Sequence, residues 1–306
     1  MQSRFPRATI AVAPDAEPWS LPTVSSPAVQ PIVALLAYPV AANPMQYVIE
    51  KAFARHDLDW RFLTLEVAPD DLGDAVRGMR AMGFRGGMAA EPHKQTILPL
   101  LGKTTDSAAL IGTVNLILRE EHVLVGENTE GKGLVEAVRR WMSPAGRRFF
   151  LVGAGQAGRA IAVELAAAGA AEIRVMNRTP EKAAALVSLL TEKFPAVAAS
   201  AVAWEENVSV PADADVLVNA SSIAAGEPEA RLPLATESLR RELLVADMAI
   251  SPPGTRLLRD AAARGCTTVD GLTSLVEQVA VAFRLWIGQD PDRQVMREAI
   301  EEFLEL

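Results

Sequence analysis

The chain has 306 residues, half of them hydrophobic and 22% charged, with a formal net charge of −8. At roughly 150 residues per domain this suggests two globular domains, and the acidic balance argues against nucleic-acid binding, which needs clustered Lys and Arg. No apolar run approaches the roughly 18 residues of a membrane helix, and one cysteine (Cys266) with three scattered histidines (His56, His93, His122) leaves no disulfide framework and no Cys- or His-based metal site. The N-terminus lacks a signal-type apolar segment and carries Asp15 and Glu17, which transit peptides tend to avoid, so a soluble cytoplasmic protein is expected.

Residues 1–30 are rich in Pro, Ala and Ser and read as an extension outside the fold. Regular text begins with a buried strand at 32–37. Asn43-Pro44 opens a helix, with Asn as N-cap and Val48, Ile49, Ala52 and Phe53 at helical spacing. A strand at 60–67, a helix at 70–82, an extended stretch at 84–89, a short helix at 92–101 and strands at 114–118 and 123–125 complete an α/β unit over 31–130. Thr129 caps a helix to about 142, with Leu134, Val135, Val138 and Trp141 on one face. A second alternation places strands at 149–152, 173–176, 215–219, 243–248 and 267–269, with helices at 158–168, 180–194 and 255–264. Strands alternating with helices predict a doubly wound parallel sheet over 131–270. Two helices separated at 288–292 fill 271–306.

The stretch Gly153-Ala154-Gly155-Gln156-Ala157-Gly158 is a G-x-G-x-x-G between a predicted strand and a predicted helix, the context a dinucleotide fingerprint demands. Gly153 permits the tight turn, Gly155 lets a pyrophosphate approach the backbone, and Gly158 lets helix and strand pack closely. The helix N-terminus offers free N–H groups to phosphates. Enzymes using NAD usually place an acid at the end of the next strand, to hold the ribose 2′-hydroxyl. This chain has Asn177-Arg178-Thr179 there and Lys182 four residues beyond Arg178, so a 2′-phosphate is the better fit and NADP the expected cofactor.

With the motifs Pro92-His93-Lys94, Gly112-Thr113-Val114-Asn115, Asn128-Thr129-Glu130-Gly131, the glycine loop, Asn177-Arg178-Thr179, Asp270-Gly271-Leu272 and Leu275-Val276-Glu277-Gln278 in this order, the chain resembles the shikimate dehydrogenases over roughly residues 32–290. The resemblance implies an N-terminal substrate domain, a C-terminal Rossmann domain that binds NADP, and a final stretch that returns to the substrate pocket. It implies hydride transfer between NADP(H) and a secondary alcohol or ketone of a shikimate- or quinate-like cyclic acid, in aromatic amino acid biosynthesis, by a monomer or homodimer. Lys94 takes the place of the family's acid/base and Glu130 that of its acidic partner, while Asn115 and Gln278 align with ligands of substrate hydroxyls. Lysine is a good general acid when burial lowers its pKa toward neutrality, while a nearby carboxylate, here Glu130, opposes that shift and holds the ammonium in place.

The departures concentrate in the substrate pocket. The family's S-x-S pair, which holds the substrate carboxylate, is replaced by text around Pro39-Val40-Ala41-Ala42-Asn43-Pro44, and its N-V-T by Met88-Ala89-Ala90. The acidic partner is Glu rather than Asp, a Tyr is Ile250, and a Met that faces the nicotinamide is Ser274. Asn43 is one candidate replacement ligand. These losses predict an altered, less polar substrate, with a catalytically silent cofactor-binding or regulatory protein as the alternative.

Overall fold

The computed structural model describes residues 29–306 apart from 42, 224, 225, 228, 252 and 253, so the expected extension over 1–30 lies outside the described residues except for its last two. Residues Pro31–Leu306 form one compact unit. Its first lobe runs β1 (Ile32–Ala37), α1 (Met45–Arg55), β2 (Arg61–Glu66), α2 (Leu72–Ala81), β3 (Gly86–Ala89), α3 (His93–Thr96), β4 (Lys103–Thr104), α4 (Asp106–Ile111), β5 (Leu116–Glu120) and β6 (Val123–Glu127). Its second runs α5 (Glu130–Arg139), β7 (Arg148–Val152), α6 (Gln156–Ala167), β8 (Glu172–Met176), α7 (Pro180–Lys193), β9 (Ala198–Val202), β10 (Val216–Asn219), β11 (Leu244–Asp247), α8 (Arg256–Ala263) and β12 (Thr267–Val269). Helices α9 (Gly271–Ile287) and α10 (Arg293–Phe303) close the chain.

Among the described residues the second sheet has the order β12-β11-β10-β7-β8-β9 with every pair parallel. This is the doubly wound dinucleotide-binding order, whose switch point lies between β7 and β10 and opens a crevice at the strand C-termini. After Arg148, the sequence Phe149-Phe150-Leu151-Val152 is apolar throughout because both faces are covered. Phe149 and Leu151 enter a core with Leu134, Ile161 and Leu165, while Phe150 and Val152 enter another with Leu217, Leu243 and Leu258.

The first sheet has the order β2-β1-β3-β5-β6-β4 and is mixed: β1 pairs parallel with β2 and β3, but β5 is antiparallel to β3 and β6. Leu35 of β1 shares a core with Phe53 of α1, Phe283 of α9 and Ile300 of α10, so the two C-terminal helices cover one face of this sheet. Ala34 and Leu36 point the other way, into a core with Val76 and Met79 of α2. The expected helix at 92–101 is two short pieces, α3 and a 3₁₀ turn at Leu98–Leu100. Strand β9 and the small elements β4 and α4 carry no pattern that the sequence reading detected.

Candidate active site

Lys94 and Glu130 lie 36 residues apart in sequence, yet Lys94 Nζ is 2.5 Å from Glu130 Oε1. Several contacts position Lys94. The chain leaves β3 through a cis Glu91–Pro92 bond and enters α3. There His93 is buried, and its Nε2 lies 2.8 Å from the carbonyl of Val67. The Lys94 carbonyl accepts a 2.8 Å bond from the Val114 amide, which ties α3 to the start of β5.

Glu130 begins α5, and its amide donates to Asn128 Oδ1 at 3.0 Å. Asn128 Nδ2 donates to Thr113 Oγ1 at 2.9 Å. Asn115 Oδ1 accepts from the Thr129 amide at 2.8 Å, and Asn115 Nδ2 donates to Thr129 Oγ1 at 3.1 Å. The G-T-V-N and N-T-E-G stretches are thus laced together by side-chain bonds among buried residues, where an unpaired amide would cost about 1–3 kcal/mol. Helix α5 is also pressed from two sides. A Cβ on Gly131 would strike the Ala160 carbonyl of α6, and one on Gly133 would stand 2.6 Å from the Ser274 carbonyl of α9. The second contact fixes the distance from α5 to the turn that carries Gln278.

The five polar residues expected at the substrate site meet in one cavity of about 240 Å³: Asn43, Lys94, Asn115, Glu130 and Gln278 all line it. Leu35, Pro44, Met45, Met88, Ala89, Ala90, Ile250, Leu275 and Leu304 supply the rest of its wall. The N-cap of α1 is Pro44 and not Asn43 as expected; Asn43, one position earlier, lines the cavity, and its Oδ1 accepts a 3.0 Å bond from the Met45 amide. The Gln278 side chain makes no hydrogen bond among the described residues and keeps its whole carboxamide for a ligand. Ser274 Oγ is the one buried side-chain oxygen without a partner among the described residues, and nothing in the structure explains it.

Two opposing effects act on Lys94. Burial pulls the Lys94 ammonium down, but the Glu130 carboxylate and its hydrogen bond, and then Glu91 with its Oε1 3.8 Å away, push it up. The balance leaves Lys94 above the ordinary lysine value rather than near neutrality. Glu91 is largely exposed and Lys103 pairs with Glu120, so neither takes the place of Lys94 or Glu130.

A second cleft, of about 440 Å³, opens at the switch point of the parallel sheet. Gly153, Gly155, Gln156, Ala157, Asn177, Arg178, Thr179 and Lys182 line it. Gly153 has φ +108°, a conformation that favours glycine. A Cβ on Gly155 would meet nothing, so the space above it is open for a ligand, whereas one on Gly158 would run into the Gly153 carbonyl. The first backbone bond of α6 is Arg159 N–H to Gly155, so the amides of Gln156, Ala157 and Gly158 have no helical partner. Asn177 Oδ1 accepts from the Ala154 amide at 2.9 Å and its Nδ2 donates to the Thr179 carbonyl at 2.9 Å, so Asn177 shapes the loop with both ends of its side chain. Arg178 and Lys182 are exposed and unpaired among the described residues, and no acidic side chain lines this cleft. Met248 lines this cleft and Ile250 the first, so the turn after β11 is a wall shared by both. Sequence reasoning missed Met248 and Leu304, because a cleft wall of that kind leaves no spacing to read.

An open cleft at a dinucleotide switch point, beside a cavity holding a paired lysine and carboxylate, defines a nucleotide-dependent oxidoreductase architecture. Residues 35–117 match the shikimate dehydrogenase substrate binding domain, residues 136–272 the shikimate / quinate 5-dehydrogenase family, and residues 271–301 the shikimate 5'-dehydrogenase C-terminal domain. The shikimate dehydrogenase (NADP(+)) of Alkaliphilus metalliredigens is 34% identical over 273 residues, 88% of this chain and 96% of the relative. The crystal structure of ligand-free 5-ketofructose reductase from Gluconobacter sp. strain CHM43 is 40% identical with a TM-score of 0.87, covering 90% of this chain and 99% of that one. Shikimate 5-dehydrogenase from Listeria monocytogenes, solved with shikimate and NAD, is 29% identical with a TM-score of 0.82, covering 89% of this chain and 96% of that one. The chain belongs to the shikimate dehydrogenase family.

Proposed function

We propose that the chain catalyses reversible hydride transfer between NADP(H) and a secondary alcohol or ketone, with Lys94 as proton donor and acceptor. The observation that carries this reading is the Lys94–Glu130 pair at 2.5 Å in a cavity that shares a wall with the nucleotide cleft. The same pair speaks for an enzyme over a silent cofactor-binding protein. The nucleotide cleft fits NADP: the open space at Gly155, the unpartnered amides of α6 and two free cations suit a pyrophosphate and a 2′-phosphate. When bound, NADPH supplies the hydride.

Lys94 Nζ gives its proton to the carbonyl oxygen as negative charge develops there, and takes one back from the hydroxyl in the reverse direction. Glu130 holds Nζ in place. Gln278, and the one Asn115 Nδ2 hydrogen not given to Thr129, orient neighbouring hydroxyls. Curated relatives are named shikimate dehydrogenase (NADP(+)), which makes shikimate- or quinate-like cyclic acids the first substrates to test. A second reading, an open-chain polyhydroxy ketone, is favoured by the 40% identity to 5-ketofructose reductase. A cytoplasmic location, where NADPH is available, and a monomeric or homodimeric state belong to the same proposal.

The test is the near-ultraviolet absorbance of NADPH, followed with saturating NADP and shikimate, and in reverse with 3-dehydroshikimate. Turnover in either direction supports the reading. NADP binding without turnover of any hydroxyl or carbonyl substrate would overturn it.

Two further outcomes are expected. Arg178→Ala should raise KM for NADP on the order of tenfold to a hundredfold and leave KM for NAD nearly unmoved, because the loss is of charge-assisted bonds to the 2′-phosphate. The pH profile follows from Lys94. Its raised pKa keeps the ammonium present across neutral pH, so ketone reduction should be flat there and fall only as pH rises through that elevated value. Alcohol oxidation needs the free amine and should climb steadily with pH over the same range. Glu130→Gln removes the principal cause that raises Lys94 and leaves burial to lower it, so the oxidation limb should move to lower pH. A limb that stays in place would separate Lys94 from the proton transfer.

A further inference from the structure

Resting on the hydride-transfer reading above, we infer that the cavity is built for an uncharged, polyhydroxylated ketone and not for a carboxylate. Lys94 is the one cation among the described residues lining it. Its Nζ stands 2.5 Å from Glu130 Oε1 and 3.8 Å from Glu91 Oε1, so one positive charge already faces two negative ones. That ammonium is already committed to Glu130, so it offers a substrate carboxylate no free positive charge. The Lys94–Glu130 pair is mostly withdrawn from solvent, with side-chain exposures of 21% and 15%, while Glu91, 64% exposed and outside the cavity wall, adds a repulsion that water and salt screen.

The apolar part of the wall, among the described residues, offers an anion nothing. Pro44, Met45, Met88, Ala89 and Ala90 present no hydroxyl and no guanidinium, and a desolvated carboxylate without hydrogen bonds is costly. The first amide of α1, at Met45, is already held by Asn43 Oδ1. The polar groups left over are neutral carboxamides: all of Gln278, the Nδ2 of Asn43, and one hydrogen on Asn115 Nδ2. Gln278 both donates and accepts, which matches a hydroxyl; a carboxylate would use only the donors. The cavity, about 240 Å³, falls below the roughly 300–1,000 Å³ of drug-sized pockets. A compact, sugar-sized molecule suits it. The reaction balances as ketone plus NADPH plus the Lys94 proton, giving secondary alcohol and NADP⁺, after which solvent reprotonates the Lys94 amine.

The test compares 3-dehydroshikimate with its uncharged carboxamide, and adds 5-keto-D-fructose as an open-chain neutral ketone, all at saturating NADPH. The carboxamide is expected to exceed the acid in kcat/KM by about tenfold at low ionic strength, with the gap narrowing as salt is added. Glu91→Gln should narrow it as well, by raising the value for the acid. Calorimetric binding of shikimate and shikimamide to the NADP-saturated protein gives the same comparison without chemistry. If no ketone is reduced, the activity reading fails, while the binding comparison still decides the matter of charge: tighter shikimamide supports the inference. An acid that is bound or turned over as well as its carboxamide overturns it, as does a gap that ignores both salt and Glu91.

Discussion

Replacing Lys94 with alanine is expected to lower kcat/KM for the preferred ketone by about 10³-fold, within the usual range for removing a general acid. The effect should fall on kcat. Lys94 Nζ is the one ammonium in the substrate cavity among the described residues, and Glu130 is the other titratable side chain on its wall, held by its bond to that ammonium. NADPH affinity should stay within a few-fold of the parent, since the nucleotide cleft is lined by Gly155, Arg178 and their neighbours and not by Lys94. Lys94→Arg should not rescue turnover: a guanidinium stays protonated in proteins and cannot return a proton in the oxidation direction. Steady-state kinetics with a parallel NADPH fluorescence titration would settle it. A Lys94→Ala enzyme within tenfold of the parent in kcat would show that another group moves the proton.

The two halves of the site differ in how far the sequence disclosed them. The glycine loop was legible because its chemistry is local: a strand, a turn with positive φ and a helix start lie within ten consecutive residues, each with its own residue requirement. The Lys94–Glu130 pair had no such signature. A lysine in a four-residue helix and a glutamate at a helix start become partners only through the mixed first sheet, whose β3-β5-β6 order brings the two chain segments together. Resemblance to a family supplied that pairing; periodicity could not. Nor could the sequence decide the sign of the Lys94 shift, because burial and Glu130 act in opposite directions and only the distance tells which wins. Strand β9, Ala198-Ala199-Ser200-Ala201-Val202, was missed for a different reason. It is an edge strand of small residues, mostly exposed, and has no apolar alternation to read. Asn43 stands one position before Pro44, the N-cap of α1, rather than at the cap itself; the helix begins one residue later than expected, while the Asn43 oxygen still accepts from the Met45 amide and the residue lines the cavity.

Gly155 and Gly158 belong to one motif, yet substitution at each should fail in opposite ways. Gly155 has φ −77°, which any residue adopts, and a Cβ there meets only open space. Gly155→Val should therefore fold normally, with the melting temperature of the cofactor-free protein unchanged. The new methyl groups would occupy the approach of the pyrophosphate to the α6 amides, and NADP affinity should fall by at least about a hundredfold, the scale of losing two charge-assisted bonds. Because a ligand stabilises the folded state in proportion to the logarithm of its concentration over Kd, the NADP-induced rise in melting temperature should vanish. At Gly158 the Cβ would collide with the Gly153 carbonyl, a backbone atom that cannot swing aside. Gly158→Ala must push α6 off β7, at a cost of about 3 kcal/mol, the upper part of the overpacking range. That corresponds to a fall of roughly 6–12 °C in the cofactor-free melting temperature. Thermal melts of both variants with and without NADP separate the two effects: a Gly155→Val protein that still melts later with NADP would mean that the pyrophosphate does not lie over this glycine.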